Sequence, residues 1–566
     1  MSDIVRVDSQ VLNVPSNITK EVLVGPKQQQ ALKVSFDSAT NSTANLNYQF
    51  APRAVVPNNF YVKNSFIMQV TAPAGSGLPA GANFFTASWG KYVAPRNFPL
   101  MWAINSGTIR LNDQVFTTQV KDLMSYFSKC LSNEDALEYS DVCPALPDQG
   151  FFNYADAVGT SKNVNGGYND SRENWIPRGS WKLDATGSAL ASGVPDGTPV
   201  NVAGDGSATG WVKFTCDTPL LLTPLHNKAL GLPVINLSNL YNLNVNLVFD
   251  GTFNKVLSVP SGWTTSPATA IFGPNASPNF NLLMISSYPS DLQAIPAEVR
   301  LPNTIFELKT QTITGTIPAN GGASSAVGSA IFQYDSYPDA IVAFCRKKMA
   351  DQVASDSDSF FRFNKDFSLT INGDNSLLNG YSDSQMYQLC KKYVRMDYQE
   401  FLGRTNATLL AGAGLSSTVA TSGPVYVFRP AIDLPISQAG VAPNMAGYRI
   451  QMQFNNLKIE NWTSAVIADS TLELVVVAIR SGEIVLTPTS GSQTANTLNQ
   501  ADVVASLTKE PLYSNEVAEM EGERSGGKMR MLSAKPMRAM GKSGGGKSGG
   551  LIPLGTAVPR SNTRRF

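Results

Sequence analysis

Asn112 and Asn372 each close a short apolar strand, and the same order of elements follows both. Thr108-Ile109-Arg110-Leu111 runs into Asn112-Asp113, and Ser368-Leu369-Thr370-Ile371 runs into Asn372-Gly373. Such pairs between apolar runs signal tight hairpins, because Asn and Gly tolerate the left-handed backbone that a two-residue turn needs. A helix-period stretch comes after each turn. In the first half it is carried by Val120, Leu123, Met124, Phe127 and Leu131, and in the second it spans Gln385 to Val394. Ile109 and Leu369, Asn112 and Asn372, and Cys130 and Cys390 all stand 260 positions apart. Farther on, the offset falls to 205 and sets Leu243, Val245, Leu247 and Phe249 against Tyr448, Ile450, Met452 and Phe454. The difference of 55 matches a polar, loop-like stretch at 144–210 that the second half has only in shorter form. A chain with this recurrence is expected to fold as two copies of one β-domain, each with one short helix between its strands. Alternating strands with frequent turn signals make each copy a sandwich or barrel.

Composition agrees. Charged residues are 15% of the 566, against roughly 25% in a typical soluble protein. Ser, Thr, Asn, Gly and Pro fill the difference, and strands and turns use these residues. The length exceeds what one hydrophobic core usually serves.

Several chemistries are excluded or weakly supported. The single histidine, His226, would have to serve any Ser-His-Asp triad, and motifs that need two histidines cannot exist. It sits in Pro224-Leu225-His226-Asn227 and reads as an ordinary loop residue. The five cysteines, Cys130, Cys143, Cys216, Cys345 and Cys390, are dispersed and odd in number, so they suggest neither a disulfide framework nor zinc. Asp356 and Asp358 lie in a run without the Gly and closing Glu of a calcium loop. Gly541 to Ser548 fits a phosphate-loop spacing, but no strand precedes it and no helix pattern follows, so it reads as a flexible linker. Phe60, Tyr61, Trp102, Trp211, Phe360 and Phe361 read as core or subunit-interface aromatics. Met1 to Arg6 shows no signal-peptide core, and the longest apolar run, Leu474 to Ile479, is too short to span a bilayer. No metal, cofactor or catalytic residue is expected.

The net charge of +1 hides an asymmetry. Arg524, Lys528, Arg530, Lys535, Arg538, Lys542, Lys547, Arg560, Arg564 and Arg565 occupy a Gly/Ser-rich end with no acidic residue, which leaves the remainder at −9. Such a segment cannot bury a core and is expected to be disordered. Three roles suit it: neutralising nucleic acid, binding an acidic surface on a partner protein or a membrane, or solubilising the chain.

With its tandem halves, its helices near 120–131 and 385–394, and its long first-half loop, the chain resembles viral major capsid proteins, most closely the double jelly-roll group. The resemblance covers roughly residues 15 to 490 and rests on architecture, with no single diagnostic motif. It implies an all-β fold of two tandem eight-stranded jelly rolls, each with one short helix, and a disordered basic C-terminal tail. The expected division is an N-terminal arm (1–20), a first roll (21–295, long loop 144–210), a second roll (296–490) and a C-terminal extension (491–566, basic from 524). The implied function is structural: homotrimers forming pseudo-hexameric capsomers of an icosahedral shell around the genome, located in the virion. Partners would be the chain itself, and packaged nucleic acid or minor capsid proteins through the tail. Single-roll shell proteins of small RNA viruses often carry a basic N-terminal arm, whereas the basic segment here is C-terminal. A β-sandwich surface or spike protein that binds a receptor or glycan is the alternative, and oligomeric state separates the two.

Overall fold

The computed structural model describes residues 28–495, apart from 50–54, 58–59, 90–92, 131–138, 141, 146–181, 189–194, 226–233, 237–238, 260–261, 269–280, 289–297, 320, 355–359, 395, 397, 403–422, 431, 435–448, 462–465 and 488–490. Asn242–Phe249 shows why strands form where they do. Leu243, Val245, Leu247 and Phe249 are buried, while the intervening residues reach solvent, as the two-residue period of a half-buried strand requires. This strand lies in a five-stranded antiparallel sheet in the order Ser38–Ala39, Thr43–Gln49, Asn242–Phe249, Ile104–Leu111, Gln114–Thr118. An eight-stranded sheet completes the first half. Its main path runs Val234–Asn236, Val55–Pro57, Asn281–Tyr288, Tyr61–Ala72, Ala208–Pro219, Lys182–Gly187, and Gln28–Ser35 and Thr264–Pro267 pair from the side. Leu46, Ile109 and Val245 of one sheet share a single buried core with Val62, Phe66 and Phe214 of the other.

The second half repeats the plan. One sheet orders Phe332–Tyr334, Ile450–Asn455, Ser368–Ile371, Asp374–Leu377. The other, eight-stranded, runs Val299–Ile313, Leu472–Leu486, Ala340–Lys347, Phe360–Phe363, Ile459–Asn461, Gly322–Ala323. Tyr426–Phe428 pairs with Ala340–Lys347, and Gly491–Ala495, which the sequence assigns to the extension, pairs with Leu472–Leu486. Phe363 bridges the two layers, stacking on Tyr426 at 4.4 Å and meeting Phe454 edge-on at 6.0 Å. The architecture is the expected all-β double jelly roll, with short strands added to each sheet.

Both hairpins form. Asn112 and Asn372 have φ of 51° and 48°, and Gly373 follows at 92°. Each Asn side chain then clamps the strand alongside. Asn112 Oδ1 accepts from Tyr241 N (3.1 Å) and Asn242 N (3.3 Å), and Asn372 Oδ1 accepts from Gln451 N (2.7 Å). This clamp corrects the expected correspondence. Leu111 pairs with Leu243 and Ile371 with Met452, so Leu243 matches Met452 rather than Tyr448. The slip is four positions, an even number. Alternation repeats every two residues and so cannot detect it.

Helices also depart from expectation. Val120–Cys130 forms as expected, but the second helix is Asp383–Lys391, earlier at both ends than Gln385 to Val394. Ser382 sets its start through a capping box with Gln385, donating and accepting across 2.8 Å and 3.3 Å. The buried triads Leu123, Met124, Phe127 and Met386, Tyr387, Cys390 correspond three positions beyond the 260 offset, so Cys390 matches Phe127 and not Cys130. The second half has a longer turn between its hairpin, ending at Leu377, and its helix. One helix per half is therefore too few. Phe84–Ser88, Pro99–Ala103 and Tyr398–Phe401 are additional and too short to show a helical period. Asn83 does carry a capping signal, accepting from Phe85 N and Thr86 N at 3.0 and 3.2 Å. The expected loop 144–210 also contains a strand, Lys182–Gly187, an edge strand with a bulge against Ala208–Pro219 and without a β-branched run to announce it. The expected N-terminal arm, 1–20, lies outside the described residues.

The Val120–Cys130 helix is held to its own roll by Lys121, which pairs with Asp250, whose Oδ1 also accepts from Thr252 N at 3.0 Å. Burial alone would raise the Asp250 carboxyl, but Lys121 and Thr252 together hold it below its usual value. A depressed carboxyl contributes stability above the unfolded value of about 3.9 and loses it as pH falls through the folded one. The stability gap between the parent and Asp250→Asn is therefore expected to be full at neutral pH and to shrink below about pH 4. Urea midpoints across a pH series measure it, and a gap independent of pH would contradict the assignment.

Candidate assembly interface

The central strand of the second roll's eight-stranded sheet, Ala340–Lys347, is buried on both faces. Cys345, Ala343 and Ile341 point one way, and Arg346, Phe344 and Val342 the other, and all are at most 1% exposed. Register places Glu473 beside Arg346, Val475 beside Phe344 and Val477 beside Val342, with Leu308 and Phe306 next along the same face. A face this apolar needs a cover, and the first roll supplies it. Tyr126 and Phe127 of the Val120–Cys130 helix pack on Phe306 at 6.0 and 5.5 Å between ring centroids. Lys129 lies 5.9 Å over the Phe360 ring.

The charged centre of this face is Arg346. Its guanidinium pairs with Glu473 at 2.8 Å within the sheet and with Asp122 of the first roll's helix, and it donates to the Asp122 carbonyl at 3.2 Å. Asp122 sits in the first turn of that helix, where a carboxylate also favours the helix dipole. Two further bonds cross between the rolls. Arg96 Nη2 donates to Ala354 O at 3.1 Å, and Asn239 Nδ2 donates to Leu486 O at 3.1 Å. A cavity of about 310 Å³ remains between Val115, Thr118 and Leu123 on one side and Asn303 and Phe306 on the other.

The arrangement suits adhesion and offers little for catalysis. Burial pushes the Cys216 and Cys390 thiols up to about 12, and it raises Cys130, Cys143 and Cys345 as well. At neutral pH all five are thiols, not nucleophilic thiolates. Among the described residues no group of His, Cys, Asp and Glu could hold a metal, and no helix is long and apolar enough to cross a membrane.

The residues singled out from the sequence fall in three places. Phe60, Trp102, Phe360 and Phe361 are buried, Trp102 donating from Nε1 to Asn97 Oδ1 at 3.1 Å, while Tyr61 and Trp211 are half-buried. Asp383, an acid not singled out from the sequence, pairs with Arg362 at the start of the second helix. His226, Asp356, Asp358, the Gly541 to Ser548 run and all ten basic tail residues, Arg524 to Arg565, lie outside the described residues. The interface residues themselves were not anticipated. The one available signal was Arg346, a charge closing the apolar run Ala340–Lys347.

Comparison with known proteins places this architecture. The family model described as the Sputnik virophage major capsid protein first domain matches residues 2–287, and that of the major capsid protein V20 C-terminal domain matches residues 309–482. No curated protein matches the chain. Among solved structures, the Sputnik virophage determined by cryo-electron microscopy is similar at 15% identity and a TM-score of 0.67, covering 91% of this chain and 98% of that one. The mavirus major capsid protein is similar at 14% identity and a TM-score of 0.63, covering 88% and 96%. Two β-rolls in tandem, locked through a buried face and each matched by a capsid-domain model, place the chain in the Sputnik-type virophage major capsid protein family, whose members are structural and not enzymatic.

Proposed function

We propose that this capsid protein assembles as a homotrimer, and that trimers tile an icosahedral shell enclosing the genome. The observation that carries this reading is the duplication. One chain supplies two rolls, and the first already covers the outward sheet face of the second. Three chains then supply six similar units, the number a pseudo-hexameric capsomer needs. The division into an arm (1–20), rolls at 21–295 and 296–490, and a C-terminal extension belongs to the same proposal. Light scattering behind size-exclusion chromatography is expected to give three times the 60.7 kDa of one chain. A stable monomer at assembly concentrations would overturn the trimer.

The basic end carries a second part of the proposal. Its ten Lys and Arg and absence of acidic residues suit non-specific neutralisation of packaged nucleic acid. Deleting residues 524–566 is expected to lower the nucleic acid per particle, and the parent's binding should weaken as salt rises. Normal packaging without the tail would turn attention to an acidic surface on a minor capsid protein or an inner membrane.

A further inference from the structure

Two edge strands leave a gap at the junction of the rolls. Gln114–Thr118 ends the first roll's five-stranded sheet, and Val299–Ile313 ends the main path of the second roll's eight-stranded sheet. Among the described residues each pairs on one side only, Gln114–Thr118 with Ile104–Leu111 and Val299–Ile313 with Leu472–Leu486. The cavity of about 310 Å³ lies between them. Its walls come from both rolls: Phe116, Thr118 and Leu123 from the first, and Asn303, Phe306 and Leu308 from the second. Val115, 56% exposed, stands at the rim and gives the cavity a way to solvent.

Asn303 is the residue in this wall that the chain leaves unsatisfied. It is 3% exposed, and its Oδ1 has no hydrogen-bond partner. Buried acceptors are nearly always paired, so an orphan in a cavity wall calls for a donor from outside the chain. The outer torsion of an Asn is soft, and a small turn offers that oxygen to a group inside the cavity. The rest of the lining narrows the choice. Among the described residues no charged side chain lines the cavity, so an ion entering it would shed water without gaining a counter-charge. Phe116 and Phe306 offer aromatic rings, and Leu123 and Leu308 aliphatic surface. Since roughly 150 Å³ is room for benzene, about 310 Å³ suits a fused or substituted ring.

We propose that this cavity is a binding site for a neutral ring compound carrying one N–H or O–H donor, of the indole or phenol class. The ring lies against Phe116 and Phe306, and the donor reaches Asn303 Oδ1. Because the walls belong to different rolls, the occupant bridges them and stabilises only the state in which they are joined. Phe306 also packs on Tyr126 and Phe127, so the site adjoins the contact that covers the second roll's sheet. The site is complete within one chain and does not depend on the trimer.

The test uses the full chain, with indole as the probe and benzofuran, which has the same shape and no donor, as its control. Indole is expected to raise the thermal midpoint, and titration followed by ligand-observed NMR gives both affinities. Asn303→Leu removes the acceptor, so the preference for indole over benzofuran should fall by about 5-fold, the share of one neutral hydrogen bond. Thr117→Trp fills the cavity from an exposed position and should abolish the indole shift. An indole shift that survives Thr117→Trp places the binding elsewhere and overturns the site. An unchanged preference in Asn303→Leu overturns the anchoring role of Asn303. No shift in the parent, with the cavity holding water alone, overturns the proposal.

Discussion

Arg346→Ala is expected to destabilise the folded chain by about 3 kcal/mol, because it removes a buried guanidinium and strands two partly buried carboxylates. Arg346 is 1% exposed and holds Glu473 and Asp122 at once. It also lies 5.7 Å from the Phe344 ring, so its stem and guanidinium fill apolar space as well as carrying charge. Arg346→Lys should recover only part of the loss, since an ammonium cannot reach both carboxylates with a planar fork. Replacing Arg346, Glu473 and Asp122 together with apolar residues of similar volume should cost much less than the single change, because no charge is then left uncompensated. The measurement is denaturant unfolding followed by fluorescence and circular dichroism. Besides a lower midpoint, Arg346→Ala should separate the transition into two, since this cluster ties the helix of one roll to the sheet of the other. A loss below about 0.5 kcal/mol with a single transition would show that the rolls are held by their aromatic contacts alone.

The duplication was legible in the sequence because hairpins announce themselves locally. Asn372-Gly373 closing the strand Ser368–Ile371 has few other conformational outcomes, and the helix period after it needs only a dozen residues to read. Register was not legible. Leu243, Val245, Leu247 and Phe249 alternate in the same way at any even offset, and only the Asn112 and Asn372 clamps, which are three-dimensional facts, fix the pairing. The roll-to-roll face was hidden for a related reason. Asp122 and Arg346 lie 224 positions apart, and neither is unusual in its own window. What marks Arg346 is burial on both faces of its strand, which follows from the first roll's position. Short helices such as Pro99–Ala103 escaped because five residues carry no period.

The hairpin asparagines separate the two halves experimentally. Asn112 is 1% exposed, and besides accepting from Tyr241 and Asn242 it donates from Nδ2 to Asn239 O at 3.0 Å. Asn239 in turn reaches Leu486 of the second roll. Asn372 makes fewer such bonds: it accepts from Gln451 N and donates to Tyr337 Oη at 3.3 Å. Glycine accepts the positive φ of both sites without strain, so Asn→Gly reads the side-chain bonds plus a backbone entropy cost of about 0.5–1 kcal/mol. At about 1 kcal/mol per bond plus that backbone cost, Asn112→Gly is expected to cost about 3.5–4 kcal/mol, and Asn372→Gly, whose two bonds lie nearer solvent, about 2 kcal/mol. Asn112→Ala should cost about 1 kcal/mol more than Asn112→Gly, because a Cβ disfavours the left-handed backbone. Chemical denaturation of the three variants gives the order directly. Equal losses at Asn112 and Asn372 would mean that the first hairpin serves only its own roll and that the Asn239 link adds nothing. The expected inequality would show that a turn duplicated in sequence has acquired, in one copy only, a second task at the junction of the rolls.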